Sequence, residues 1–223
     1  SMTVISKETI DILSNFSTIN KSIVIKPGNQ IQTLSLNKNI LAKAKVQETF
    51  DREIPIYDLP SLIQVFNLFD GTPVINTTQQ SWLEVTNPAN RSKVKFFYSD
   101  PDIIVQPPNK EVDLPSEDVT FRLEAPVLQQ IRKAWSICGV PDLCLYAANG
   151  VMSLCLTDKK NDTSNSYQIE VGDCDEDDSF CYCFKMENLK LFPQSYDVAI
   201  SKHNVARFEA DNVKYLIALE PNN

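Results

Sequence analysis

Glycine and histidine are both scarce in this 223-residue chain, which has five of the first and one of the second. Gly28, Gly71, Gly139, Gly150 and Gly172 never gather into a run that could cradle phosphate, so neither a P-loop nor a dinucleotide-binding turn can be written. His203 alone cannot furnish a zinc site of several imidazoles, and no Ser-His-Asp triad exists without recruiting it. It sits in Lys202-His203-Asn204 with no evident carboxylate partner. These absences remove much of enzymology, and a non-enzyme is expected. No apolar run approaches the roughly 20 residues of a bilayer span, and the first residues lack a signal peptide's basic and apolar regions. An internal, soluble protein with no membrane partner is expected. Bases are outnumbered by acids, 21 to 29. A formal charge of −8 discourages a broad phosphate-binding surface, although a total says nothing about individual faces.

The six cysteines, at 138, 144, 155, 174, 181 and 183, come without a secretory signal and are expected to be reduced thiols packed as small hydrophobes. Cys181 and Cys183 share a strand face, but without a second spaced pair they do not read as a zinc site. Asp173, Asp175 and Asp177 imitate the first ligands of an EF-hand. Position six is Asp178 instead of Gly, however, and position twelve is Phe184 instead of Glu, so no metal or cofactor is expected.

Charge and composition divide the chain. Residues 1–106 carry ten Lys/Arg against ten Asp/Glu, and residues 119–223 carry ten against fifteen. Between them, residues 107–118 hold three prolines, five charges and few apolar side chains, the composition of an exposed connector. Two halves of near-equal length invite a search for a repeat. After Ser6, apolar pairs such as Ile12 and Phe16 recur four apart, predicting a helix. Pro126 opens a second such pattern with Leu128, Ile131, Trp135 and Cys138 on its buried stripe and Gly139 as its stop. Strands are predicted at 22–26, 30–36, 39–48 and 52–57, and again at 141–147, 150–157, 166–171 and 179–185. A further helix follows in each half, one capped by Asp58 and one over 186–192, where Met186, Leu189 and Phe192 lie three apart. Closing strands are predicted at 73–78, 81–87, 92–98 and 101–106, then at 194–201, 204–210 and 213–219. The fold class is α+β: two repeated domains of antiparallel sheets with two helices each, spanning 1–106 and 119–223.

Several short stretches lie in the same order as in one known family: Ile5-Ser6-Lys7-Glu8-Thr9, Asn15 to Asn20, Ile56-Tyr57-Asp58-Leu59, Leu128-Gln129-Gln130, Met186 to Lys190, Arg207-Phe208-Glu209 and Tyr215 to Glu220. Through them nearly the whole chain resembles the replicative DNA polymerase sliding clamp of T-even-type bacteriophages. The resemblance implies a DNA clamp fold and a homotrimer closed head to tail into a ring, with helices lining the hole. It implies double-stranded DNA encircled without sequence preference, an ATP-dependent clamp loader and DNA polymerase as partners, and the cytoplasm of an infected bacterium as the setting. The acidic run at 173–178 and the strand Ser179 to Lys185 depart from that pattern.

If the helices face DNA, their polar stripes should avoid carboxylates, because phosphate is being approached and base edges are not being read. Gln129, Arg132, Lys133 and Ser136 form such a stripe, with no acid between Glu124 and Asp142. Ser61, Gln64 and Asn67 lie in a stretch with no charge between Asp58 and Asp70. Lys7 and Lys21 bracket the first helix, and Lys185 and Lys190 flank the fourth. Few bases are enough for retention by enclosure, and tight phosphate pairing would slow sliding.

By the same resemblance the subunit edges are the strand containing Ile103, Ile104 and Val105 and the strand containing Tyr167, Ile169 and Val171. Arg91, Lys93 and Lys95 are expected on one strand face, and two readings of it stay open: it meets the acidic turn with Asp175 and Asp177 on a neighbouring copy, or the two are unrelated solvated surfaces. A partner-peptide pocket between domains is implied at Val112, Leu114, Pro115, Tyr215, Leu219 and Pro221. The competing reading is a β-rich structural or adaptor protein that oligomerises through sheet edges and never encircles DNA.

Overall fold

In the computed structural model, which describes residues 1–221, the chain divides into two units, Ser1–Glu111 and Val112 onward. The order of elements is the same in both: strand, helix, four strands, a helix or helical turn, three strands.

Unit 1 begins with β1 (Met2–Val4) and α1 (Lys7–Ser17). Ser6 caps the helix, its side chain accepting the Thr9 N–H at 3.2 Å. Glu48, buried on β4 (Ile40–Phe50), reaches the same end and accepts the Ser6 N–H at 2.8 Å and the Thr9 hydroxyl at 2.6 Å. A carboxylate there satisfies an N–H with no helical acceptor and meets the positive end of the helix dipole. Ile12, Leu13 and Phe16 form the buried stripe of α1. β2 (Ile23–Ile25) pairs with β5 (Ile54–Ile56), and β3 (Gly28–Leu34) pairs with β4, all antiparallel. α2 (Leu59–Leu68) starts at Asp58, whose side chain accepts the Ser61 N–H at 3.2 Å and the Ser61 hydroxyl at 2.6 Å. β6 (Val74–Asn76), β7 (Trp82–Asn87) and β8 (Ser92–Phe97) follow, giving the sheet order β1-β6-β7-β8.

Unit 2 repeats the plan. β9 (Val119–Leu123) leads into α3 (Ala125–Cys138), which ends at Gly139 in the left-handed conformation, φ 65°, where glycine carries no Cβ penalty. β10 (Asp142–Ala148), β11 (Val151–Thr157), β12 (Tyr167–Asp173) and β13 (Cys181–Lys185) form a sheet in the order β12-β11-β10-β13. β14 (Tyr196–Ser201), β15 (Val205–Glu209) and β16 (Val213–Ala218) join β9 in the order β9-β14-β15-β16. The core of the unit stacks Phe184, Phe208, Tyr196 and Tyr215 with successive ring centroids 5.6, 6.3 and 5.9 Å apart. The two tyrosine hydroxyls stay satisfied by clasping the Phe192 backbone: Tyr196 donates to its carbonyl, and Tyr215 accepts its N–H at 3.0 Å. Burial pushes the Tyr215 phenol up to about 12 and that of Tyr196 further still.

Three expectations are corrected here. Residues 186–192 are not a helix: only Met186–Asn188 makes a 3-10 turn, and the chain then runs irregularly to Pro193. Leu189 and Leu191 are both buried, two apart, a spacing that one helical stripe cannot bury. Residues 101–106 are not a strand: the Asp100 side chain accepts the Asp102 N–H at 2.9 Å and starts a 3-10 turn, Pro101–Ile103. The cysteines are not all thiols. Cys144 and Cys183 are register partners on β10 and β13, with Cα atoms 4.0 Å apart, and form a disulfide. Cys138, Cys155, Cys174 and Cys181 are not part of a disulfide.

Candidate nucleic-acid interface

The three helices present their solvent faces very differently. On α3, Leu128, Ile131 and Ala134 are buried and Gln129, Gln130, Lys133 and Ser136 are exposed. Trp135, expected in the core, is 37% exposed, and Ile137 is 83% exposed. The face therefore mixes amides, one base and apolar surface without a carboxylate. Arg132 does not join it. Its guanidinium is half-buried and donates to the carbonyls of Leu189 at 3.4 Å and Leu191 at 2.5 Å. Desolvation pulls its pKa down, and its Nη2 group is committed to the irregular segment that replaces a second helix.

α2 exposes Gln64, Asn67 and Leu68 and carries no charge along its length. Asp58 at its N-terminus is held below the ordinary carboxylate range by hydrogen bonds from the Ser61 hydroxyl and N–H, with Lys21 adding attraction. Lys21 is exposed beside this end, and its own carbonyl accepts the Leu59 N–H at 2.8 Å. On α1, Lys7 is exposed and pairs with Asp11 at 3.4 Å, one turn on. Lys190 is half-buried. Lys185 is tied to Glu220 at 2.9 Å and Asp142 at 3.3 Å, with Asp142 almost wholly buried. The hydrogen bond to Glu220 leads the causes that raise its pKa, so its charge serves this ion cluster. Of the seven cations and amides expected to line a channel, Lys7, Lys21, Gln129 and Lys133 are exposed on helices or at a helix end, Lys190 is half-buried, and Arg132 and Lys185 are engaged by backbone carbonyls and by carboxylates.

The expected subunit edges are redistributed. Ile103 is 62% exposed, Ile104 is buried and Val105 half-buried, but they follow a turn and offer no strand edge. They line a groove of about 1000 Å³ with Leu36, Tyr57 and Gln64. The unit 1 sheet ends at β1 and at β8, and β8 carries exposed Lys93 and Lys95, with the Lys95 ammonium 4.2 Å from the Trp82 ring centroid. Arg91 lies in the preceding turn at φ 58°, off the strand face. In unit 2 the sheet ends at β13 and at β12, and on β12 Tyr167, Ile169 and Val171 alternate with exposed Gln168 and Glu170. Beyond it, Asp175 and Asp178 close a tight turn: the Asp178 carboxylate accepts the Asp175 N–H and the Asp175 carbonyl accepts the Asp178 N–H, both at 3.0 Å. Asp175 and Asp177 stay exposed.

Around the connector, Val112 and Leu114 are half-buried and Pro115 and Pro221 exposed, while Tyr215 and Leu219 are buried. Tyr215 belongs to the aromatic stack and does not face the connector. Arg207 and Leu216 are register partners and share a sheet face, and Arg207 reaches Asp113 at 2.9 Å and Glu117 at 2.7 Å. Leu216 is therefore the β16 residue on the connector side, and alternation puts Tyr215 on the other. Sequence reasoning missed Arg207, Glu48 and the disulfide, since each depends on a register or a long-range approach that periodicity does not reveal.

A strand-helix-sheet plan written twice, with strand edges left unpaired in each half and no acid along α2 or α3, is the plan of the DNA clamp fold. Residues 6–105 match the family described as DNA polymerase processivity factor, and residues 120–221 match that described as gp45 sliding clamp, C terminal. The sliding clamp of Vibrio phage KVP40 is 32% identical over 222 residues, covering 97% of this chain and 98% of the relative. That of Enterobacteria phage T4 is 27% identical, covering 97% and 96%. Among solved structures, A. fulgidus PCNA bound to the C-terminal region of FEN-1 superposes with a TM-score of 0.74 at 12% identity over the whole of both chains. The DNA polymerase III beta chain of Streptococcus pneumoniae gives 0.68 at 13% identity, all of this chain covering 65% of that one. The chain belongs to the phage sliding-clamp family, whose members are non-enzymatic processivity factors.

Proposed function

We propose that three copies of this chain close head to tail around duplex DNA, that an ATP-driven loader opens the ring, and that the closed ring tethers the replicative polymerase in the cytoplasm of the infected bacterium. The observation that carries this reading is the solvent face of α3, which keeps Gln129, Lys133 and Ser136 free of any acid in a chain of net charge −8. With the uncharged face of α2, it offers a surface that tolerates phosphate without gripping it, as a sliding contact requires. Lys7, Lys21 and Lys190 add dispersed positive charge.

The unpaired edges β8 and β12 support head-to-tail closure, because each exposes ladder groups that a second copy can pair. Lys93 and Arg91 would then approach Asp175 and Asp177 of the neighbour, a contact that salt weakens. Val112, Leu114 and Pro115, with Leu216 beside them, form the proposed strip for short peptides from the polymerase and its companions.

The test uses nicked circular DNA and a cognate loader. The protein should stay on the circle at physiological salt and be lost within a sliding time after linearisation. Equal retention on both forms overturns the ring. Lys21→Glu with Lys133→Glu should cut retention several-fold while sedimentation still reports a trimer, and unchanged retention removes these helices from the channel.

A further inference from the structure

Four of the six cysteines stand on one face of the sheet formed by β10, β11 and β13. Cys144 has Cys155 directly across on β11 and Cys183 directly across on β13. Cys181 lies two residues from Cys183, so its side chain projects to the same side. The opposite face carries Leu143, Leu145, Leu154, Leu156 and Phe184 into the core. The sulfur face is thus not the apolar interior, where cysteines serve as small fillers, but the side shared with the Asp142–Lys185 ion pair.

On that face the Sγ atoms of Cys144, Cys181 and Cys183 all lie within 4.8 Å of one another. The Cys181 and Cys183 sulfurs are 3.7 Å apart. A tetrahedral zinc thiolate with Zn–S bonds of about 2.3 Å sets neighbouring sulfurs about 3.8 Å apart. Cys181 is exposed and gives an ion a way in, while Cys144 and Cys183 are buried and give it a dry floor.

We propose that the reduced protein binds one soft divalent cation, of the zinc class, through the thiolates of Cys144, Cys181 and Cys183, and that the disulfide is the metal-free form of this site. Opening it is a balanced exchange with a dithiol reductant. Two electrons and two protons pass from the reductant to the Cys144–Cys183 bond, the reductant closes its own disulfide, and two thiols result. Zn²⁺ then displaces three protons to solvent as three Zn–S bonds form. A reducing compartment holds the protein on the metal side of this balance.

The experiment reduces the full chain with a dithiol under anaerobic conditions, removes the reductant and titrates Zn²⁺ or Co²⁺ alone. Expected are one ion per chain by native mass spectrometry, release of about three protons, and sulfur-to-cobalt charge-transfer absorption. Cys181→Ser should weaken binding by at least about 10-fold and diminish that absorption, whereas Cys174→Ser should change neither. Cys144→Ser should also abolish the site. Because a buried substitution can unsettle the fold, the exposed Cys181→Ser and the unaltered chain decide the matter. The proposal is overturned by reduced protein that binds no ion, by Cys181→Ser binding as tightly as the parent, or by a disulfide that survives reduction of the folded protein.

Discussion

Unit 1 and unit 2 solve the same position in the repeat by different means. After its fourth inner strand, unit 1 runs into α2, which satisfies its own backbone and is started by a single side chain, Asp58. Unit 2 runs into a three-residue turn and an irregular stretch, and its carbonyls are met from outside by Arg132. A helix is therefore not the only element that can cover this face. Two apolar anchors, Leu189 and Leu191, do so as well, provided that a neighbour supplies the donors their backbone no longer finds locally.

That contrast can be broken most forcefully at Arg132. Arg132→Ala strands two carbonyls and loses the packing of a long stem, so unit 2 should lose about 3 kcal/mol in urea unfolding. Amide exchange should accelerate across residues 186–196 and α3 and stay unchanged in unit 1. A uniform acceleration would refute the division of labour. In unit 1 the comparable fastener is Glu48, and Glu48→Ala leaves the Ser6 N–H and Thr9 hydroxyl without their acceptor. A loss of about 2 kcal/mol is expected, with fraying confined to the start of α1 by exchange.

Asp58→Ala should cost about 1 kcal/mol, as removal of a helix cap does. This contribution carries a pH signature. The folded pKa of Asp58 is depressed below the ordinary aspartate value of about 3.9, so the cap's contribution is complete above that ordinary value and fades as pH falls through the lower folded one. The stability gap between the parent and Asp58→Asn should close in acid, and a gap that persists to low pH would exclude the carboxylate as its source. Smallest is Lys7→Ala, which removes an exposed pair one turn apart and should shift stability by about 0.3 kcal/mol or less.

The legible parts of this protein are those written in local chemistry. Ser6 three residues before Thr9, Asp58 three before Ser61, Pro126 at the start of α3 and Gly139 at its end all act over a few bonds, and the sequence names them directly. What stayed hidden depends on distant partners. The three-residue spacing of Met186, Leu189 and Phe192 resembled a helix because nothing local announced that Leu191 would be buried too or that Arg132, more than fifty residues earlier, would take up the carbonyls. The strand expected at 101–106 overlooked Asp100-Pro101, a turn signal in plain view. Among the channel residues, spacing placed Lys133 and Gln129 on an exposed stripe but could not tell them from Arg132, whose neighbour on that stripe differs only in what lies across from it. The disulfide required the register of β10 and β13, which a separation of 39 residues does not disclose.

Arg207 has a practical corollary. Because it fastens Asp113 and Glu117 to the outside of β15, the proline-rich stretch before β9 is bound down like a strap, whatever its composition suggests. A recombinant second half cut at Val119 would take two of three carboxylate partners from a guanidinium that is only 17% exposed and bare the surface the strap covers. Anyone cloning that half should place the start codon upstream of Asp113.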